Sequence, residues 1–413
     1  MKQLFNRITT VVTLLYALCP MLSAQTFIEV QDSVVSDTAS ANENFVYLLN
    51  ADELRYSERV NPDAQVLVGN VVFRQDSMYM YCDSALFFQE ANSFNAYHNI
   101  RVEQGDTLFL YGDSLFYNGN TRILKIRDNV RIENTTMVLL TDSLNYERDA
   151  ELGYFFAGGT LLDEENTLTS DYGQFHTPTK MATFMKDVFL ESEDYNLSSD
   201  TLLYNTDLHT AYFVSPTEII SDETTIHTNN GNFNTDLKEA VLLNRSVIIQ
   251  KDGEQTMVGD SIIFNEAEGQ AEAFGNVEIR NYTDKLDVDG EYAYFNHQND
   301  SAVVTGNALA IEYSTGDSLY IHADTFRLLT FYNATKDTVL YREMRAFNKV
   351  KAYRTDMQMV ADSLVFNSID TCLTLYKDPI VWSENQQVLG EKISVYMNDS
   401  TIDWAHVIGQ ALF

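Results

Sequence analysis

Basic residues are scarce in this chain. Its 413 residues hold 27 Lys and Arg against 60 Asp and Glu, a formal charge of −33. Such a chain has no electrostatic means of gripping nucleic-acid phosphates, and it is repelled by anionic headgroups. Cysteine is nearly absent: of Cys19, Cys82 and Cys372, only two lie beyond the N-terminal segment, which excludes a disulfide framework. There is no His-Glu-x-x-His and no pair of closely spaced cysteines. Beyond the N-terminus no apolar run reaches membrane-spanning length, and no sustained i, i+3, i+4 pattern marks a helix. Proline is rare, at 5 residues.

Tyrosine and phenylalanine are plentiful, 24 of each, enough with the β-branched residues for a large β core. The first 24 residues read as a cleaved signal peptide: basic Lys2 and Arg7, an apolar Ile8–Leu18, and a small-residue exit at Leu22-Ser23-Ala24. Leu18 stands where a lipobox needs a small residue, so Cys19 is not read as a lipid anchor. Cleavage removes two basic residues and no acid, leaving 25 against 60, or −35. The mature protein is expected to be exported. Residues 25–46, rich in Ser, Asp, Thr and Asn, read as a flexible lead-in.

The rest repeats. CDSALF (82–87), GDSLFY (112–117), TDSLNY (141–146), SDTLLY (199–204), GDSIIF (259–264) and ADSLVF (361–366) belong to a ladder of about twelve units, starting at ADELRY (51–56), with a period near 30. Between them runs a second element: GNVVF (69–73), HNIRV (98–102), DNVRI (128–132), KDVFL (186–190), GNVEI (275–279) and NKVKA (348–352). Around Asp113, apolar or small residues fall at Leu108, Leu110 and Gly112, then at Leu115 and Tyr117. Period two identifies strands, and the slip of one at Asp-Ser predicts a bulge or corner. The small residue before Asp fits a tight bend. Residues 329–346 interrupt the period and read as an inserted hairpin or a junction, dividing repeats at 47–328 from further repeats at 347–413.

Gly112-Asp113-Ser114-Leu115 also spells the signature of the GDSL esterases, and Asp403-x-x-His406 has the spacing of their remaining triad members. A nucleophile sits once, on a strand-to-helix turn; here the motif marks every repeat of a β pattern, so it reads as a corner. No residue is read as catalytic and no cofactor is expected. The seven histidines (98, 176, 209, 227, 297, 322, 406) are scattered. Corner aspartates have some capacity for Ca²⁺, but hydrogen bonding to local backbone is the simpler expectation. What remains is an apolar ladder: Leu110, Leu115, Tyr117, Leu139, Leu144, Tyr146, Leu202, Tyr204, Ile262, Phe264, Leu364 and Phe366. It is expected to line either the dry core of a structural β-solenoid, acting as an envelope or surface scaffold, or a groove wide enough for acyl chains.

The paired Gly-Asn-Val-x-[Ile/Val] and [Ala/Gly]-Asp-Ser-Leu-x-Tyr ladders behind a signal peptide resemble the OstA-like, or LptA, family of lipopolysaccharide-transport proteins, in its long Bacteroidetes form. The resemblance runs from about 47 to 413 and is clearest over 65–146, 199–204 and 259–279. It implies an all-β, extended OstA-type β-jellyroll (a β-taco) whose groove holds lipid A acyl chains, and a location in the periplasm, with outer-membrane association as an option. It further implies edge-strand pairing with related jellyroll domains of the inner-membrane complex and the outer-membrane translocon, with self-association a further possibility. The resemblance also gives the acidic surface a sense, with tails buried and headgroups in solvent.

Overall fold

The computed structural model describes residues 45–412 apart from 58, 60, 105–107, 134–137, 163–165, 193–194, 222–223, 235, 251–252, 266, 284, 297, 315–316, 334–338, 370–371, 384–385 and 399–400. Residues 1–24, read as a signal peptide and including Cys19, most of the expected lead-in, Met137 and His297 lie outside the described residues, as does the side chain of Leu108. Every regular element among the described residues is a strand, and neighbours pair antiparallel. The chain forms two compact units divided between Ser215 and Pro216. The fold is an all-β jellyroll in which each repeat of about 30 residues contributes one out-and-back pair of strands.

In the first unit the strand Leu108–Asn118 pairs with Ser93–Gln104 on one side and Ile123–Glu133 on the other. Its buried residues are Leu110 and Gly112, then Leu115 and Tyr117, so the inward phase slips at Asp113-Ser114. The extra residue belongs to the neighbouring strand: Tyr97 faces Ser114 and Ile100 faces Gly112, leaving His98 and Asn99 opposite Asp113 alone. Both carry positive φ, 64° and 51°. The same double left-handed step recurs at Asp128-Asn129, Lys186-Asp187, Asn244-Arg245, Gly275-Asn276 and Asn348-Lys349. Two such residues in a row bend the strand sharply and fold the sheet across itself. Gly112 sits inside the bend, where a Cβ would collide with Ile126 Cγ2.

The two sequence motifs are therefore halves of one corner. The Asn of the second element donates its side-chain amide to the Asp of the preceding first element: Asn70 to Asp52 at 2.8 Å, Asn99 to Asp83 at 2.6 Å, Asn129 to Asp113 at 2.6 Å and Asn276 to Asp260 at 2.7 Å. Lys377 makes the equivalent contact to Asp362 at 2.7 Å. The aspartates were expected to bond local backbone, yet these partners lie a strand away. Left-handed φ costs a non-glycine residue roughly 1–2 kcal/mol, and at these five corners a charge-assisted bond offsets it.

Each corner divides a strand between two arms. Call the Leu110 side the front arm and the Tyr117 side the rear arm. In the first unit their inward faces cover one another, with Phe73 of the front arm stacked on Phe94 of the rear at 4.0 Å between centroids. In the second unit the inward faces of both arms are again buried: Ile262, Ala273 and Leu364 are wholly buried on the rear arm, Val277, Met357 and Met359 nearly so on the front. The strands Leu319–Tyr332 and Val339–Arg354 stay paired out to Tyr332 opposite Val339. The described part of 329–346 is thus the outer end of one long hairpin, with Phe331 and Tyr341 stacked at 4.4 Å.

Candidate functional site: an apolar cavity between the arms

Strand pairing fixes which inward side chains become neighbours. Along the rear arm of the first unit one row reads Tyr117, Leu124, Tyr146, Gly153, Phe175, Ala182, Tyr204, Ala211. In the second unit the corresponding row reads Phe233, Ala240, Phe264, Ala271, Phe295, Ala302. From Tyr146 onward in the first row, and along the second, large rings on the outgoing strands thus alternate with Ala or Gly on the return strands. Neighbouring strands lie about 4.8 Å apart, so rings recur roughly every 10 Å with shallow troughs between them. The ring at the +4 position was legible in the sequence. The alanines leave a fainter trace there, in TAYF (210–213), EAV (239–241) and QAEA (270–273).

In the first unit a cavity of about 100 Å³ opens between the arms. The front arm contributes Leu110, Ile132 and Leu139, and the rear arm Leu144, Tyr146 and Phe175. No charged side chain lines it. Burial pushes the Tyr146 hydroxyl above its usual pKa, so it stays neutral. Of the twelve ladder residues, the structure thus brings Leu110, Leu139, Leu144 and Tyr146 to this cavity. Leu115, Tyr117, Leu202 and Tyr204 are buried elsewhere in the same unit. Ile262, Phe264 and Leu364 are buried in the second unit, and Phe366 is half-buried there.

Polar groups gather where the arm tips meet. The Tyr117 hydroxyl donates to Gln75 Oε1, and Gln75 Nε2 donates to the Gly119 carbonyl at 3.3 Å. Arg148 donates to Tyr117 Oη at 3.1 Å and to Asp76 Oδ2 at 3.0 Å. Gln75 and Asp76 belong to the front arm and the other three residues to the rear. Val46, the end of the expected lead-in, is buried beside them and donates its N–H to Asn92 Oδ1 at 2.8 Å. This clasp was not legible in the sequence, because its members lie up to 72 residues apart.

The esterase residues have other employment. Asp113 holds Asn129, and Ser114 sits in the ladder opposite Tyr97 and Arg127. Asp403 and His406 lie in the other unit, on the strand Thr401–Ile408. Cys82 and Cys372 are buried free thiols. Among the described residues no group of three or more His, Cys, Asp or Glu is placed to hold a metal ion, and no helix is long and apolar enough to cross a membrane.

Two sheet edges are bonded on one side only among the described residues. One is the strand pair Tyr47–Asn50 and Glu53–Ser57, which exposes Leu49, Leu54 and Tyr56; the other is Thr401–Ile408, which exposes Trp404 and Ile408.

Comparison with curated proteins gives no match. Among solved structures the chain is similar to LptH of Pseudomonas aeruginosa, described as the LptA-homologous periplasmic component of a conserved lipopolysaccharide transport device. The similarity covers 31% of this chain and 76% of that one at 13% identity, with a TM-score of 0.16. The family model for OstA-like proteins matches residues 43–200 and 238–322. More than half the chain fits that model, so the chain belongs to the OstA-like protein family.

Proposed function

We propose that this chain is a non-enzymatic periplasmic lipopolysaccharide-transport protein, which holds lipid A acyl chains between its arms and bridges inner- and outer-membrane transport components. The observation that carries the reading is the cavity: it is apolar, lies between the two arms of the folded sheet, and is bounded by the ladder residues Leu110, Leu139, Leu144 and Tyr146. Burial of alkyl surface contributes about 25 cal/mol per Å², so such a groove binds tails without contacting a headgroup charge. Loading whole tails requires the arms to part, because 100 Å³ is less than the roughly 150 Å³ that admits a single benzene. The one-sided edges at 47–57 and 401–408 suit β-augmentation by related jellyroll domains. Family membership supports the reading.

The test is crosslinking in cells whose lipopolysaccharide is labelled. A photoreactive residue replaces Tyr146 or Phe264 on the inward faces, or Phe116 on the outward face. Adducts at the two inward positions and none at Phe116 are expected. A folded protein silent at both inward positions is a solenoid with a dry core, and the transport reading fails.

A further inference from the structure

Two glycines abut the Phe155 ring, and a third, Gly153, stands apart from it. A Cβ on Gly159 would lie 2.5 Å from the ring, and one on Gly173 would collide with it outright. Those two are glycine because Phe155 fills their places. A Cβ on Gly153 would meet only Tyr146 Cδ2, at 3.6 Å, an ordinary contact, and its φ lies outside the left-handed region. Neither packing nor backbone conformation requires glycine there. Glycine within a strand is otherwise unfavourable, through its larger loss of chain entropy and the missing side chain.

Gly153 also departs from its row. From Tyr146 to Tyr204 in the first unit, and from Phe233 to Phe295 in the second, the other places between rings are alanine: Ala182, Ala240 and Ala271. Gly153 alone lacks even the methyl, between the rings of Tyr146 and Phe175, and it lines the cavity. An apolar pocket of this kind excludes water, which needs two to four polar partners. Its natural occupant is hydrocarbon.

We propose that the space over Gly153 is a seat for the methyl end of one acyl chain, and that the missing side chain keeps it open. This rests on the lipid-carrying reading above. The volume, below that of a benzene-sized pocket, fits a short terminal stretch of chain and not its whole length. Occupants whose tails end at the seat are therefore favoured over those whose tails end short of it or overrun it.

The test uses the full mature protein and a tetradecanoic acid bearing a diazirine at its tail end. After photolysis, adducts are mapped by mass spectrometry. Wild type is expected to carry them on Tyr146, Phe155 or Phe175. Gly153→Leu should lose at least ten-fold of those adducts while melting no lower than wild type. Gly153→Ala, whose methyl the site accepts without collision, should lose several-fold and serves if the leucine variant fails to fold. Adducts elsewhere in the groove, or adducts at these rings unchanged by either variant, overturn the seat and leave the transport reading standing. No adduct anywhere in folded wild type overturns both.

Discussion

A single side chain at a corner does two things: it accepts an unfavourable φ and it supplies a bond. At Asn129, φ is 51° and the amide reaches Asp113 at 2.6 Å. The two roles separate by substitution. Asn129→Gly keeps the conformation and loses the bond, so it should cost about as much as Asp113→Ala, roughly 0.5–1.5 kcal/mol. Asn129→Ala loses the bond and must also enter the left-handed region, adding about 1 kcal/mol. Urea melts of the three variants check the order; equal losses for Gly and Ala would remove φ from the account. Cys82 offers a second prediction at this scale. Burial, reinforced by Asp83, pushes its thiol from 9.0 up to about 12. Between those values the unfolded chain has lost the proton and the folded chain has kept it, so stability must fall as pH rises. The slope for this one group approaches 1.4 kcal/mol per pH unit. Cys82→Ala should flatten the decline in urea stability from pH 9 to 11 by nearly one proton, and the wild-type thiol should ignore maleimide until unfolded.

Strands meet one another by register, and their arms meet only at particular places. The clasp is such a place: Tyr117 is 2% exposed and Gln75 fully buried. Tyr117→Phe keeps the ring and removes the hydroxyl on which Gln75 and Arg148 converge. Leaving buried polar groups short of a partner costs about 1–3 kcal/mol, so equilibrium unfolding should register a loss of that size. Adding Gln75→Leu should recover part of it; a double variant as weak as the sum of the singles would show that the two residues act independently. Period-two alternation made the strands legible, and the slip at Asp-Ser made the corner legible, because both are local in the chain. The partner of each corner aspartate was not, since Asn129 answers Asp113 from the next strand. Nor was the cavity. It depends on Gly153 being set between Tyr146 and Phe175 by pairings that no local pattern prints, and four of the twelve ladder residues border it.

Across the whole chain the acids outnumber the bases by more than two to one, and many bases are already engaged. Arg245 reaches Asp260 and Glu278, while Arg280 reaches Glu278, Asp287 and Asp289. Exposed pairs of this kind add little stability, but they leave few cations for any outside anion. The imbalance was legible from composition alone; its consequence for transport needs the fold. A protein that drew lipid directly from an anionic bilayer would first have to approach it, and at low salt the Debye length of about 30 Å lets the repulsion act well before contact. The delivery proposed above, through the one-sided edges at 47–57 and 401–408, would avoid that approach. The mature protein should therefore fail to float with phosphatidylglycerol vesicles at 10 mM salt. Raising salt to 300 mM should give at most weak association, because screening removes the repulsion without supplying an attraction. Flotation at low salt would mean that a surface other than these edges meets the membrane, and the charge argument for edge delivery would have to be given up.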